Sequence, residues 1–446
     1  MKKIFAIIVC SVCCCFVAAQ PRYTLEQVLD SARRNNISMH TAQLGIAAAQ
    51  QQRKEAFTKY FPNVSASGFW FNATRDMAKM TVNPSEYLTP EMAVDLATSL
   101  PPSVAMALAS PMSFTMLKKG VLGTVTAVQP VFAGGRIING NRLARVGEDV
   151  SRLQYRLSEN EVEKTAEQYF WKLASLQEKL KTVVAAENLL NGIQKDVEVA
   201  VRAGVAMPND LLQVQLRQND VASQKLKLLN ALSLLHMLVA QHCGLRDTAF
   251  VITYQAQEPS PLLAQQDPDQ ALLSTAEYQL LGKQVEAARL QRKLTVGENL
   301  PQVGVGVGYN YHNLFENDRS FGMVFASVSV PISDWWGGSH AIKRRNMEQQ
   351  KAQEQLEDSS QKLKIRMQSA WNDVLESYEQ LGIAERSIEQ AEENLRLNRN
   401  YYQAGTSTMS DLLQAQLLYQ QARDKRTDAF SDYHNKLLEY RQATGQ

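Results

Sequence analysis

Two seventeen-residue stretches, about 200 residues apart, constrain this chain more than anything else in it. Residues 198–214 read EVAVRAGVAMPNDLLQV and residues 399–415 read RNYYQAGTSTMSDLLQA. In each, a long polar–apolar helical pattern climbs to a glycine (Gly204 or Gly405), breaks, and restarts at an aspartate (Asp210 or Asp411). The words NDLLQVQ and SDLLQAQ nearly coincide. Two helical hairpins with one kind of tip make an internal duplication. Gly204 and Gly405 are expected as the tip turns, helix C-caps with positive φ.

The helices leading to the tips are unusually long. No proline interrupts residues 136–203, and Tyr155, Val162, Tyr169, Leu176, Val183, Leu190 and Val197 fall at steps of seven. In the second copy, helix 338–404, the same step joins Met367, Val374, Leu381, Ile388, Leu395 and Tyr402. A sustained seven-residue step is a coiled-coil seam. Such a helix would be roughly 100 Å long. Helices 209–243 and 409–443 return from the tips.

Ahead of each long helix the pattern changes. A helix over 24–60, opened by Thr24 with Gln27 at capping-box spacing, stops at Phe61-Pro62; a helix over 269–299 stops at Leu300-Pro301. Residues 63–73, 121–132, 302–312 and 321–332 then alternate with period two, which is strand. Pro130 has its match in Pro331, and Gly134-Gly135 theirs in Gly337-Gly338. The domain organisation follows: residues 20–254 form the first repeat, 255–268 a linker rich in Gln, Pro and Asp, and 269–446 the second repeat. The first repeat carries an insertion, 74–118, between its strands. Six methionines lie there (Met77, Met80, Met92, Met106, Met112 and Met116). Thioethers suit soft ions such as copper or silver, but methionine is more often adaptable apolar filler, and an apolar extracellular loop that folds over a barrel mouth or packs on neighbouring loops is expected.

Residues 1–19 read as a signal peptide: Lys2-Lys3, an apolar run to Val17, and small residues before Gln20. No later stretch offers about 20 uninterrupted apolar residues, so an exported chain without a membrane-spanning helix is expected. Four of the five cysteines lie in that peptide, leaving Cys243 with no partner for an intrachain disulfide. Without residues 1–19 the chain has 45 basic and 45 acidic residues. Balanced charge argues against a nucleic-acid partner.

Length arithmetic shapes the architecture. The two shorter helices of a repeat together match the long one, so they stack end to end beside it. Four strands of 10–12 residues are long enough to cross an outer membrane when tilted. They cannot close a barrel alone, since the smallest have about eight strands. Open edges are intolerable in lipid, so other copies must complete the barrel, most simply three with twelve strands. The expected fold is mainly α with a β-barrel portion.

The sequence resembles the TolC-like outer membrane efflux proteins over essentially all of its expected mature length. The resemblance rests on the duplicated AG-x5-DLL tips, the prolines of FPN and LPQ, and QPVFAGGR with its partner VPISDWWGG. It implies a homotrimer in which duplicated long-helix hairpins form an α-helical barrel continuous with a 12-stranded outer-membrane β-barrel. The family role is a passive exit duct of a tripartite efflux or type I secretion system. It also implies a Gram-negative outer-membrane location with a long periplasmic portion, a periplasmic adaptor, and an inner-membrane pump or exporter as partners. In the family, aspartate rings line the periplasmic aperture; Asp210 and Asp411 match them, and Tyr402 matches a tyrosine that latches the closed state. Two positions depart: Ser407 stands where some relatives carry a basic latch residue, and Gln414 where some carry a second aspartate.

Plainer readings stand beside these. Asp210 and Asp411 sit where acids cap helix starts, and Tyr402 continues the apolar seam. No enzyme is expected, and no metal or other cofactor. The six histidines are scattered without metal-ligand spacing, and GVGVG at 304–308 alternates as a strand instead of opening a helix. The alternative from another class is an exported coiled-coil scaffold or adhesin, which explains the heptads but not the four strands.

Overall fold

The computed structural model describes residues 21–445 except 76, 117, 255–263 and 315–316. The expected signal peptide and most of the linker 255–268 therefore lie outside the described residues. In chain order come strand β1 (Arg22–Tyr23), helices α1 (Leu25–Asn35) and α2 (Ile37–Thr58), and strands β2 (Asn63–Asn72) and β3 (Ala78–Val82). Short helices α3 (Pro90–Ser99) and α4 (Pro102–Ala109) lead to strands β4 (Met112–Met116) and β5 (Lys119–Ala133). Then follow helices α5 (Arg136–Arg202) and α6 (Pro208–Cys243), strand β6 (Val251–Ile252), and helices α7 (Pro268–Ser274) and α8 (Ala276–Glu298). Strands β7 (Gln302–Leu314) and β8 (Asn317–Ser329) and helices α9 (Asp334–Gln403) and α10 (Met409–Ala443) complete the chain. It divides into two compact units.

The helical unit comprises residues up to Gln50, Val146–Glu286, and Gln350 onward. Its seams follow the seven-residue step: Val162, Val183, Leu190 and Val197 of α5 and Met367, Val374 and Leu381 of α9 are buried. One core gathers Phe170, Trp171 and Leu173 of α5 with Val28 and Ala32 of α1, Leu235 and Val239 of α6, Leu381 of α9 and Phe430 of α10. A second packs Met367, Trp371 and Val374 against Leu272 of α7 and Tyr433 and Tyr440 of α10. β1 and β6 pair in parallel.

Both short helices that the sequence suggests as single pieces are split. Asn36 breaks the first, with extended φ −68 and ψ 136. Its side-chain oxygen accepts from Ser38 N at 2.8 Å and its amide donates to His242 O at 2.9 Å, so it starts α2 while docking the break onto α6. Thr275 breaks the second in the same way: its hydroxyl donates to Leu272 O at 2.8 Å and accepts from Tyr278 N at 3.4 Å. A short polar residue can close one helix and open the next because its side chain replaces the missing backbone partners. The Thr24–Gln27 capping box is formed as expected.

The other unit, residues 51–145 and 287–349, carries an antiparallel sheet of order β2-β5-β7-β8. Register is set by alternation: Gly68 lies opposite Gly123, Val125 opposite Tyr309, and Gly306 opposite Phe325. The register shifts between Pro130 and Phe132, as expected where a proline withholds its N–H from a ladder. Val64, Trp70, Val125, Val305, Val307, Tyr309, Val324 and Val328 share one face and are exposed. The opposite face of β7 carries Gly304, Gly306 and Gly308, which are buried under neighbouring side chains such as Phe325.

Three local expectations change. Pro331 follows β8 instead of lying in it. Gly337-Gly338 fall inside α9, which begins at Asp334, an acid in the first turn that favours the helix N-terminus. Gly134 and Gly135, by contrast, take φ 60 and 73 and end β5. The insertion is also more than a loop: β3 pairs with β4, and α3 is capped by the Thr89 hydroxyl accepting from Met92 N at 3.3 Å. Among the described residues no helix is long and apolar enough to cross a membrane, a statement that does not concern strands.

Candidate functional site: the two hairpin tips

At the first tip Val205 N donates to Ala200 O at 2.9 Å and Gly204 N to Val201 O at 3.0 Å; at the second, Thr406 N donates to Tyr401 O at 2.9 Å and Gly405 N to Tyr402 O at 3.0 Å. This pair of bonds is the Schellman closure, which satisfies carbonyls that the helix end leaves free. It requires a left-handed residue, and Gly204 and Gly405 have φ 77 and 71. A side chain there would be strained without touching any neighbour.

The return helices start on the two aspartates. Pro208 opens α6 in its first turn, where a missing N–H costs nothing, and the Asp210 carboxylate accepts from Met207 N at 3.2 Å. Asp411 is more fully engaged. Its Oδ2 accepts from Thr408 N at 3.1 Å, Thr408 Oγ1 at 2.6 Å and Ser407 Oγ at 3.2 Å, and its own N–H donates to Thr408 Oγ1 at 3.2 Å. The Thr408 hydroxyl, then the Thr408 N–H, hold the Asp411 carboxyl below its ordinary pKa. It stays anionic into acid. Ser407, at the position where the family comparison raised a basic latch residue, here serves Asp411.

The two tips belong to one packed group. Val183, Leu190, Ile193 and Val197 of α5, Val214 and Val221 of α6, and Met409 and Leu412 of α10 form a core, with Leu395 and Tyr402 of α9 packed against it. Tyr402 is half-buried. Burial first, and then the charge of Asp210, push its phenol above the ordinary pKa, which places it in the electrostatic reach of the opposite tip's aspartate. Val205 and Met207 stand out into solvent, 80% and 71% exposed. The five residues singled out from the sequence thus lie on two tips joined by one core.

Sequence reasoning missed a polar group a few turns above. Arg217 of α6 donates from Nε to Gln416 Oε1 at 3.1 Å and from Nη2 to Gln420 Oε1 at 3.0 Å, and Gln420 Nε2 donates to Gln224 Oε1 at 2.8 Å. The available signal was an asymmetry between the copies: Arg217 aligns with Leu418 in an otherwise similar stretch.

Known proteins share this architecture. Residues 268–446 match the family described as outer membrane efflux protein. No curated protein matches the chain significantly. Among solved structures, the outer membrane protein VceC of Vibrio cholerae superposes with a TM-score of 0.74 at 15% identity, covering 94% of this chain and 96% of that one. The Campylobacter jejuni CmeC outer membrane channel gives 0.75 at 13% identity, covering 94% and 85%. The open state of the Neisseria gonorrhoeae MtrE outer membrane channel gives 0.72 at 14% identity, covering 94% and 88%.

The fold is therefore the mostly helical one of those outer-membrane channels. The resemblance to TolC-like efflux proteins drawn from the sequence is carried by the family match over residues 268–446 and by the fold of the chain.

Proposed function

We propose that this protein is the passive exit duct of a tripartite efflux or type I secretion system in a Gram-negative outer membrane. One observation carries the reading: a four-stranded sheet whose outer strands β2 and β8 have no further partner in that sheet and whose one face is apolar and exposed. In lipid such edges must be paired. Three copies joined β8 to β2 close a twelve-stranded barrel, with the apolar face toward lipid and Trp336, 82% exposed just beyond β8, suited to the membrane–water interface. Residues 20–254 and 269–446 act as duplicated halves around the linker 255–268, and their long helices line a periplasmic tunnel. Asp210 and Asp411 ring its aperture, where repeated carboxylates attract cations and resist crowding, and Tyr402 beside Asp210 latches the closed state. Exposed Val205 and Met207 offer apolar ends to a periplasmic adaptor, which links the duct to an inner-membrane pump or exporter.

The scaffold reading leaves the apolar sheet face unexplained. Fractionation separates the two. The duct is expected in the outer membrane, released only by detergent and cross-linking as a trimer; recovery as a soluble periplasmic protein would support the scaffold and refute the duct.

A further inference from the structure

The geometry points to a hydratable clasp, Arg217 with Gln416 and Gln420, that sets how readily α10 parts from α6. Its place beside the aperture rests on the duct reading; the clasp itself does not. Arg217 interrupts an apolar seam in which Val214 and Val221 are buried. Across the seam Gln416 and Gln420, only 1% and 3% exposed, are one helical turn apart, so one planar guanidinium fork spans both oxygens. Gln224 closes the group from α6 through Gln420.

What distinguishes this contact is that, among the described residues, no ion pair holds Arg217: the carboxylate of Asp220, three residues on, acts on the guanidinium through its charge, but less strongly than burial opposes it. Elsewhere the helices are joined by charge pairs: Lys225 to Glu187 at 2.6 Å between α6 and α5, and Lys179 to Asp428 at 2.7 Å between α5 and α10. A half-buried cation held by neutral amides recovers only part of its desolvation cost. When the helices part, water returns to the guanidinium and to the carboxamides, so separation costs little. Register is fixed, yet the seam is not welded. The clasp occurs once per chain, because the matching position on α10 is Leu418, exposed at 41%.

Opposite responses to two variants test it, in the full-length protein in detergent micelles. Arg217→Met strands the buried Gln416 oxygen and leaves that of Gln420 only a 3.5 Å bond from Gln416 Nε2, and amide hydrogen exchange over residues 412–424 of α10 is expected to quicken about 10-fold, with longer channel openings in bilayers. Arg217→Met/Gln416→Leu/Gln420→Leu replaces the three clasp residues by apolar side chains, leaving only the partly exposed Gln224 to water, and is expected to slow exchange about 10-fold and shorten openings. Arg217→Lys, which keeps the charge but not the fork, should exchange between wild type and Arg217→Met, and decides the matter if the triple variant does not fold. Exchange unchanged in Arg217→Met and Arg217→Lys, or moved the same way by Arg217→Met and the triple variant, would overturn the clasp. Failure of the wild type to conduct would count against the duct alone, since the exchange contrast needs no channel.

Discussion

Phe170→Ala is expected to destabilise the helical unit by about 3–5 kcal/mol. Phe170 is 1% exposed and sits where α5 meets α1, α6 and α10, with its ring edge-on to Trp171 at 5.3 Å between centroids. Residues from five helices close around it, and long helices anchored along their whole length cannot collapse into the void. The cost is thus transfer of the ring plus an unfilled cavity. Loss of helical circular dichroism in denaturant, measured on detergent-solubilised protein, reads it. Leu216→Ala, on an exposed position of α6, should stay within about 0.5 kcal/mol of wild type. Equal losses in the two variants would mean that the α5 core is not the keystone of this unit.

Acid should weaken the same core through His434. Its ring stacks on Trp171 with centroids 3.8 Å apart and meets Phe430 edge-on at 4.6 Å. Burial, helped by the charge of Arg441, lowers its pKa from 6.5 to about 4. The folded chain therefore binds fewer protons here than the unfolded chain. The stabilisation is complete above pH 6.5 and is lost as pH falls from 6.5 toward 4, by about 3 kcal/mol. Glu167, which accepts from Trp171 Nε1 at 3.1 Å, works in the opposite sense: burial raises its pKa, so protonation favours the fold as pH falls. Unfolding free energies between pH 7 and 4 separate the two. His434→Phe keeps the stack and should flatten the slope, whereas Glu167→Gln should steepen the net loss. An unchanged slope in His434→Phe would remove the imidazole from the account.

Much of the helical architecture was legible because a seven-residue apolar step leaves a long, regular trace, and Val183, Leu190, Val197, Met367, Val374 and Leu381 lie buried along it. The tips were legible because a Schellman turn needs glycine and a helix start favours an acid. The breaks at Asn36 and Thr275 were not: each rests on one side chain whose cap contacts are local but whose effect shows only when the neighbouring helices are in place. The glycine pairs misled, since Gly134-Gly135 and Gly337-Gly338 share a composition while only the first takes positive φ. Folded structure in the insertion escaped because short helices leave too few turns for a periodic signal. The Arg217 group escaped because it joins residues about 200 positions apart and follows no period at all.

Single-channel conductance of the purified protein in planar bilayers, wild type beside Asp210→Ala/Asp411→Ala, tests the central claim most directly. Small, cation-selective openings in the wild type, with selectivity lost in the double variant, are the predicted result: they place both carboxylates at a constriction. Selectivity that survives the double variant would leave the aspartates as helix caps only, and folded wild-type protein that forms no channel would contradict the duct itself.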